Sequence, residues 1–172
     1  VFLNHGSFGA CPRQVLDRQT ALRERLEAQP VSFLVRELEP ALDEVRQKLG
    51  GVLGAQPADL VFLRNATSAV NAVLTSLDLQ PGDELLTFTH AYEACRNAMQ
   101  QTAARSGARL IQVPIPVPLL DVQALVDALL ERVSARTRFA LIDHVTSPTA
   151  IVLPVAAMTQ ALQARGVQVM VD

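Results

Sequence analysis

The sequence has few of the residues that mark metal sites, disulfides or covalent cofactor attachment. Two cysteines, Cys11 and Cys95, occur in 172 residues, without a CxxC pair or a spacing suited to a metal. We therefore expect two reduced, packed thiols in a cytoplasmic protein and no metal site. Lysine occurs once, at Lys48, and tryptophan is absent. No GxGxxG or P-loop motif is present, which argues against a nucleotide-binding domain.

Charge and hydropathy exclude further classes. Fifteen Lys plus Arg against 17 Asp plus Glu, for a net charge of −2, predict no basic face for nucleic acid. The longest uncharged stretch, 144–164, contains Pro148, Pro154 and several polar residues, whereas a membrane span needs about 20 mostly apolar positions. The 49% of apolar residues are enough to form a core. The composition thus indicates a globular protein with no nucleic-acid or membrane partner.

The first third reads as an arm followed by helices, and we assign residues 1–56 to this part. Val15, Leu22 and Leu26 share one helical face before Gln29-Pro30. A second helix carries leucines and valines at spacings of three and four up to Leu49. Pro40 is expected to kink or split this second helix, and Gly54 is expected to end it.

From residue 57 onward, short apolar runs alternate with amphipathic helices. Strands are predicted over 60–63, 85–88, 110–113, 139–142 and 167–171. Such alternation is typical of βαβ units, so residues 57–172 are predicted to form an α/β domain with a mostly parallel sheet. A chain rarely stops one residue after a buried strand, so we expect 1–172 to be the front part of a longer protein.

Polar residues follow several of these strands, at the edge where open α/β sheets bind ligands. Thr67 and Ser68 open a helix after 60–63, Tyr92 follows 85–88, His144 and Ser147 follow 139–142, and Asp172 follows 167–171. Each has a structural alternative, since the hydroxyls can be helix caps and a single histidine is more often structural.

Together these residues suit pyridoxal 5′-phosphate (PLP). A helix N-terminus with hydroxyls binds a phosphate, and an aromatic side chain stacks on a pyridine ring. A carboxylate keeps the ring nitrogen protonated, which lets the ring withdraw electrons from a substrate carbanion. The sequence therefore predicts a PLP site at this sheet edge.

Six stretches resemble class V aminotransferase-fold enzymes, specifically their isopenicillin N epimerase-like branch. They are LNHGSFG (3–9), FLVRE (33–37), NAT (65–67), YEACRN (92–97), IDHVTSPT (142–149) and VD (171–172). The resemblance covers the whole chain and implies the N-terminal part of a fold type I PLP-transferase large domain, with three layers and a mostly parallel sheet.

The resemblance also implies roles for individual residues. Those expected at the cofactor are Ala66 and Thr67 on the phosphate, Tyr92 on the ring face, Asp172 on the ring nitrogen, and Ser147 on the phenolic oxygen, where His144 supports it. Those expected on the substrate side are Asn4, His5 and Gly6, with Arg36 approaching from a partner subunit in a homodimer.

The sequence departs from the family pattern at one residue. In the family, the lysine that forms the Schiff base with the cofactor lies beyond the position that Asp172 occupies here, and residues 1–172 do not include it. Lys48 lies in an amphipathic helix and reads as a solvated surface residue, so 1–172 is not expected to catalyse alone. The function implied is a PLP enzyme acting at the α- or β-carbon of an amino acid. The alternatives are a cysteine desulfurase or C–S lyase of the same fold, or an inactive α/β assembly domain.

Overall fold

The structure is a computed structural model that describes His5 and residues 9–172. The chain divides into two compact units, residues 1–62 and 63–172. The division predicted from the sequence lies after residue 56. Across the described part of the chain, none of the helices combines the length and the apolar character needed to cross a bilayer.

The first unit is helical. Helix α1 covers Arg13–Ala28, and a continuous helical run follows it as α2 (Pro30–Ser32), a π-helical turn (Phe33–Glu37) and α3 (Leu38–Leu53). The π-helical turn ends three residues before Pro40, whose ring and missing N–H are incompatible with a regular bond to the carbonyl four residues back. The interruption expected at Pro40 therefore takes the form of a change in hydrogen-bond pattern within a continuing helix.

The end of α3 agrees with the sequence prediction. Gly54 follows the helix with a φ of 67°, in the left-handed region that glycine adopts without strain. Its N–H bonds back to the carbonyl of Gly50, which closes the last turn. A short 3₁₀ turn, Pro57–Asp59, comes next.

The strand predicted over 60–63 is wrong. Within the described chain these residues join no sheet, and Val61 leaves 76% of its surface exposed. An apolar run becomes a strand only when a neighbouring strand completes its backbone hydrogen bonds. Because none of the described residues supplies such a neighbour, the segment does not form a strand here.

The second unit contains a four-stranded parallel sheet. Its strands are β1 (Glu84–Phe88), β2 (Arg109–Val113), β3 (Thr137–Ile142) and β4 (Gln168–Val171), in the spatial order β2-β1-β3-β4. Its helices are α4 (Ala66–Ser76), α5 (Glu93–Ser106), α6 (Val122–Glu131) and α7 (Val155–Gln163). These elements confirm the predicted α/β class and parallel sheet.

Helices cover both faces of the sheet. Alternate residues of a strand point to opposite faces, so each strand contributes to two separate cores. One core joins Leu86, Phe88, Ala140 and Ile142 to α6 and α7, and the other joins Leu85, Phe139 and Leu141 to α4 and α5. The unit therefore has three layers, as the resemblance implies.

The amino ends of the strands carry a buried charged network. Glu84 is 4% exposed, pairs with Arg109, and accepts hydrogen bonds from the hydroxyls of Ser134 (2.6 Å) and Thr137 (3.1 Å). Burial alone would raise the pKa of Glu84, but these hydrogen bonds and the Arg109 charge outweigh it, so the pKa lies below its usual value. The network links β1, β2 and the start of β3.

Candidate functional site at the carboxyl edge of the sheet

The carboxyl ends of β1, β3 and β4 meet at one edge, because the strands are parallel. Helix α5 follows β1 on one face of the sheet and α7 follows β3 on the other, so the chain changes face between β1 and β3. Ligands of open α/β sheets bind at such a switch point. The polar residues selected from the sequence for this unit lie at this edge or at the start of α4.

Thr67 and Asp172 converge on the thiol of Cys95. The Cys95 Sγ donates a hydrogen bond to Asp172 Oδ2 at 3.3 Å, and the Thr67 side chain lies close enough to the same thiol to lower its pKa. These side chains come from α5, the end of β4, and the first turn of α4. Residues separated by up to 105 positions in the sequence thus share one small polar cluster.

Cys95 is fully buried, and its environment disfavours ionisation. Burial raises the pKa of the thiol to about 12, and the hydrogen bond to Asp172 and the charges of Asp172 and Asp143 act in the same direction. The Thr67 side chain lowers the pKa and only partly opposes these effects. The thiol is therefore a hydrogen-bond donor and not a nucleophile at neutral pH.

Asp143 joins the end of β3 to the start of α5. It is 5% exposed, and its Oδ2 accepts a hydrogen bond from the backbone N–H of Tyr92 at 3.0 Å. Its buried Oδ1 has no hydrogen-bond partner among the described residues. Burial raises the pKa of Asp143 and the Asp172 charge adds to this, while the Tyr92 N–H partly offsets both effects.

The start of α4 has free backbone donors. Asn65 caps the helix, and its Oδ1 accepts from the N–H of Ser68 at 2.8 Å. The N–H of Ala69 bonds to the Asn65 carbonyl. The N–H groups of Ala66 and Thr67 have no acceptor within the described part of the chain, as expected for the first turn of a helix. Both lie where the resemblance expects the phosphate.

Tyr92 and Ser147 line a cavity of about 410 Å³ beside this cluster. Tyr92 is 46% exposed at the N-terminus of α5, and Ser147 is exposed in the loop after β3. The other side chains around the cavity include His90, whose Nδ1 lies 3.1 Å from the Thr149 hydroxyl, and Arg96, which donates to the carbonyl of Thr89 at 3.0 Å.

His144 contributes its backbone. Its N–H donates to the carbonyl of Asp172 at 2.7 Å, and the N–H of Asp172 donates to the carbonyl of Ile142 at 2.9 Å, which continues the β3–β4 ladder. The side chain of His144 is exposed. In this structure His144 therefore holds the Asp172 backbone in place.

The remaining predicted residues belong to the first unit. His5 lies in an exposed turn and Arg36 is exposed in the π-helical turn, while Asn4 and Gly6 lie outside the described residues. Lys48 is 74% exposed and pairs with Glu44 at 2.5 Å, which confirms its interpretation as a surface lysine. The expectation of two packed thiols is wrong for Cys11, which is exposed near a helix start where no core surrounds it.

Sequence reasoning missed two residues of the cluster. Asp143 directly follows a buried strand, which is the signal that selected Tyr92 and Asp172, but it was not distinguished from its neighbour His144. Cys95 carries no such signal, because its position in the first turn of α5 shows only that it faces the core.

The chain matches known proteins along its whole length. The model of the aminotransferase class V family matches residues 1–172. Isopenicillin N epimerases of Amycolatopsis lactamdurans and Streptomyces clavuligerus are 38% and 34% identical to it, over 99% and 100% of the chain. An L-cysteine desulfhydrase of Arabidopsis thaliana is 30% identical over 99% of the chain. The chain spans 41–43% of the length of these relatives.

Solved structures share the fold. The cystine C–S lyase C-DES, in complex with its product cysteine persulfide, matches with a TM-score of 0.88 at 26% identity, covering 99% of this chain and 46% of that one. A C-DES variant with glycine covalently linked to its PLP cofactor matches with a TM-score of 0.87 at 25% identity, with the same coverage.

Proposed function

The chain belongs to the class V aminotransferase family, whose cofactor is PLP, and from that premise we propose that the full-length protein is a PLP-dependent enzyme acting at the α- or β-carbon of an amino acid. Residues 63–172 are proposed to supply one side of the cofactor site. The observation that carries the proposal is the convergence of Thr67 and Asp172 on Cys95 at the carboxyl edge of the sheet.

The donor set at this edge fits the cofactor. The unpaired N–H groups of Ala66 and Thr67 and the Thr67 hydroxyl suit a phosphate at a helix N-terminus. The Asp172 carboxylate has one oxygen held by Cys95, and no described residue hydrogen-bonds to the other, which suits a protonated ring nitrogen. The half-exposed Tyr92 ring suits stacking on the pyridine ring of the cofactor, and Ser147 contributes a hydroxyl to the same cavity.

Each side chain then has a defined task. PLP, when bound, withdraws electrons from the substrate carbon at which a bond breaks. Asp172 would hold a proton on the ring nitrogen by charge and by a hydrogen bond. Ala66 and Thr67 would bind the phosphate and orient the cofactor. Asp143 would fix the backbone of Tyr92 and so the position of its ring. The covalent anchor is proposed to be a lysine other than Lys48.

An absorbance spectrum of the full-length protein tests this function. We expect a PLP absorption band that borohydride abolishes, with PLP then fixed to a lysine other than Lys48 by mass spectrometry. Asp172→Asn should lower turnover by about 10- to 1,000-fold, because it removes the charge that stabilises the protonated ring. Asp127→Asn, an exposed change on α6, is the control. Absence of a borohydride-sensitive band would favour the inactive assembly domain.

Product analysis separates the candidate reactions. We favour an epimerase-like activity, because the 34–38% identity to the epimerases exceeds the 30–32% identity to the L-cysteine desulfhydrases. The C–S lyase activity remains a second candidate on the strength of the C-DES match. Inversion at the α-carbon without release of sulfide supports the first, and release of sulfide and pyruvate from L-cysteine supports the second. Cys95 does not suit the nucleophile of a desulfurase, because it is buried and protonated.

A further inference from the structure

We propose that Cys95 is a positioning residue of the cofactor site, whose S–H group holds the Asp172 carboxylate in the orientation that meets the ring nitrogen. The inference rests on the proposed PLP function and assigns a task to a residue that does not itself touch the cofactor. Its basis is the 3.3 Å hydrogen bond from Cys95 Sγ to Asp172 Oδ2.

Few other described groups restrain the Asp172 side chain. Its backbone is held by hydrogen bonds to Ile142 and His144, but rotation about the side-chain bonds stays open. The Cys95 thiol is its only side-chain hydrogen-bond donor within the described residues. A carboxylate fixed at one oxygen presents the other in a defined direction, whereas a free carboxylate samples several rotamers.

The position of the thiol is itself well determined. Cys95 is fully buried in the core that α4 and α5 form on the sheet, packed among residues such as Val70, Met99 and Leu141. Its donor group therefore cannot swing away to solvent. The Thr67 side chain lies beside the same thiol and lowers its pKa, so the thiol is placed between the proposed phosphate-binding turn and the proposed nitrogen-binding acid.

Packing and hydrogen bonding are separable at this position, because cysteine has two useful replacements of similar size. Serine keeps a donor and loses little volume, whereas valine fills the space and has no donor. If the S–H group positions Asp172, Cys95→Ser should bind PLP within about 3-fold of wild type, while Cys95→Ala and Cys95→Val should both raise the Kd about 10-fold. Cys11→Ala, at an exposed thiol, should leave the Kd unchanged.

Infrared spectroscopy of the cofactor-free, full-length protein measures the hydrogen bond of the Cys95 thiol directly, separately from how the side chain packs. The S–H stretch of Cys95, isolated as the difference between wild type and Cys95→Ala, should lie at lower frequency than that of Cys11. It should move to higher frequency in Asp172→Ala, where the acceptor is lost. Thermal unfolding of each variant identifies any variant that fails to fold. The S–H frequencies are measured without an activity assay, so the comparison does not require an active variant.

The outcomes are distinct. Rescue of PLP binding by valine and not by serine, or a Cys95 S–H band at the frequency of the Cys11 band, would overturn the positioning role. If the wild-type protein binds no PLP, the proposed function fails, and the infrared comparison still decides whether the thiol holds Asp172.

Discussion

At the scale of single residues, the carboxyl edge is costly for the fold. Asp143 and Asp172 follow neighbouring strands, and their charges repel each other across a partly buried cluster. Asp143 also has a buried oxygen without a described partner. A buried polar atom without a partner costs stability. Such groups are therefore rare, and they occur mainly at functional sites.

The cost at Asp143 can be measured. Because its pKa is raised in the folded protein, the ionised carboxylate destabilises the fold above that pKa, and wild type gains stability when acid protonates it. Asp143→Asn keeps an acceptor for the Tyr92 N–H and removes the charge. We expect it to increase the free energy of unfolding by about 1 kcal/mol at neutral pH.

Urea denaturation at neutral and acidic pH checks this prediction. The gain should shrink as the pH falls through the pKa of Asp143, since the wild-type carboxyl is then neutral too. Asp127→Asn on the exposed face of α6 should have no effect at either pH. A loss of stability in Asp143→Asn at neutral pH would mean that the charge is compensated.

At the scale of elements, the N-terminal caps of α4 and α6 have different proposed roles on the two faces of the sheet. Asn65 caps α4 with one hydrogen bond to Ser68, and Asp121 caps α6 with hydrogen bonds to Gln123 and Ala124. The first cap lies beside the proposed phosphate site, and the second lies in the layer on the other face of the sheet. The same local chemistry therefore serves stability in both places and, under the proposed function, ligand binding at α4.

A matched pair of cap variants separates these two effects. Asn65→Ala and Asp121→Ala should each lower the free energy of unfolding by about 1 kcal/mol, because each removes the acceptor for the first-turn N–H groups. Only Asn65→Ala should weaken PLP binding, since it loosens the turn that presents the N–H groups of Ala66 and Thr67. Chemical denaturation and PLP titration of the full-length protein measure both. Equal PLP affinities in the two variants would contradict the assignment of the α4 turn.

At the scale of the whole second unit, the two edges of the sheet have separate roles. The amino edge has a satisfied network in which Glu84 joins three strand segments, and the carboxyl edge has the unsatisfied and repelling groups. A parallel sheet allows this division, because all strands begin at one edge and end at the other. Stability is thereby supplied away from the proposed site.

Replacement of Glu84 tests this division. Glu84→Gln should lower the free energy of unfolding by about 2 kcal/mol at neutral pH, because it removes the charge that pairs with Arg109 and accepts from Ser134 and Thr137. Since the pKa of Glu84 is lowered on folding, its contribution is present above the unfolded pKa and is lost as the pH falls through the folded one.

Denaturation curves across this acidic range should therefore converge for wild type and Glu84→Gln. Glu131→Gln, at an exposed end of α6, should match wild type throughout. PLP affinity should be the same in all three proteins. A weaker affinity in Glu84→Gln would show that the two edges are coupled.

The periodicity of apolar residues and the polar residues at strand ends predicted much of the second unit. Apolar runs and helical spacings predicted four of the strands and the helices between them, and parallel pairing placed Tyr92 and Asp172 at a common edge. Local patterns suffice there, because a period of 2 or 3.6 residues expresses which face of an element is buried. The same reasoning failed at 60–63, where the described part of the chain places no strand beside an apolar run.

The sequence by itself thus determined the class of fold and the edge that carries the polar residues. Only the tertiary structure decided which of them touch. The contact between Cys95 and Asp172 spans 77 positions, and it depends on the strand order β2-β1-β3-β4 and on the face that α5 covers. Neither is a local property, because strand order is set by the packing of all helices and strands together. The burial of Asp143 has the same origin, since a residue after a strand is enclosed only when neighbouring elements close over it.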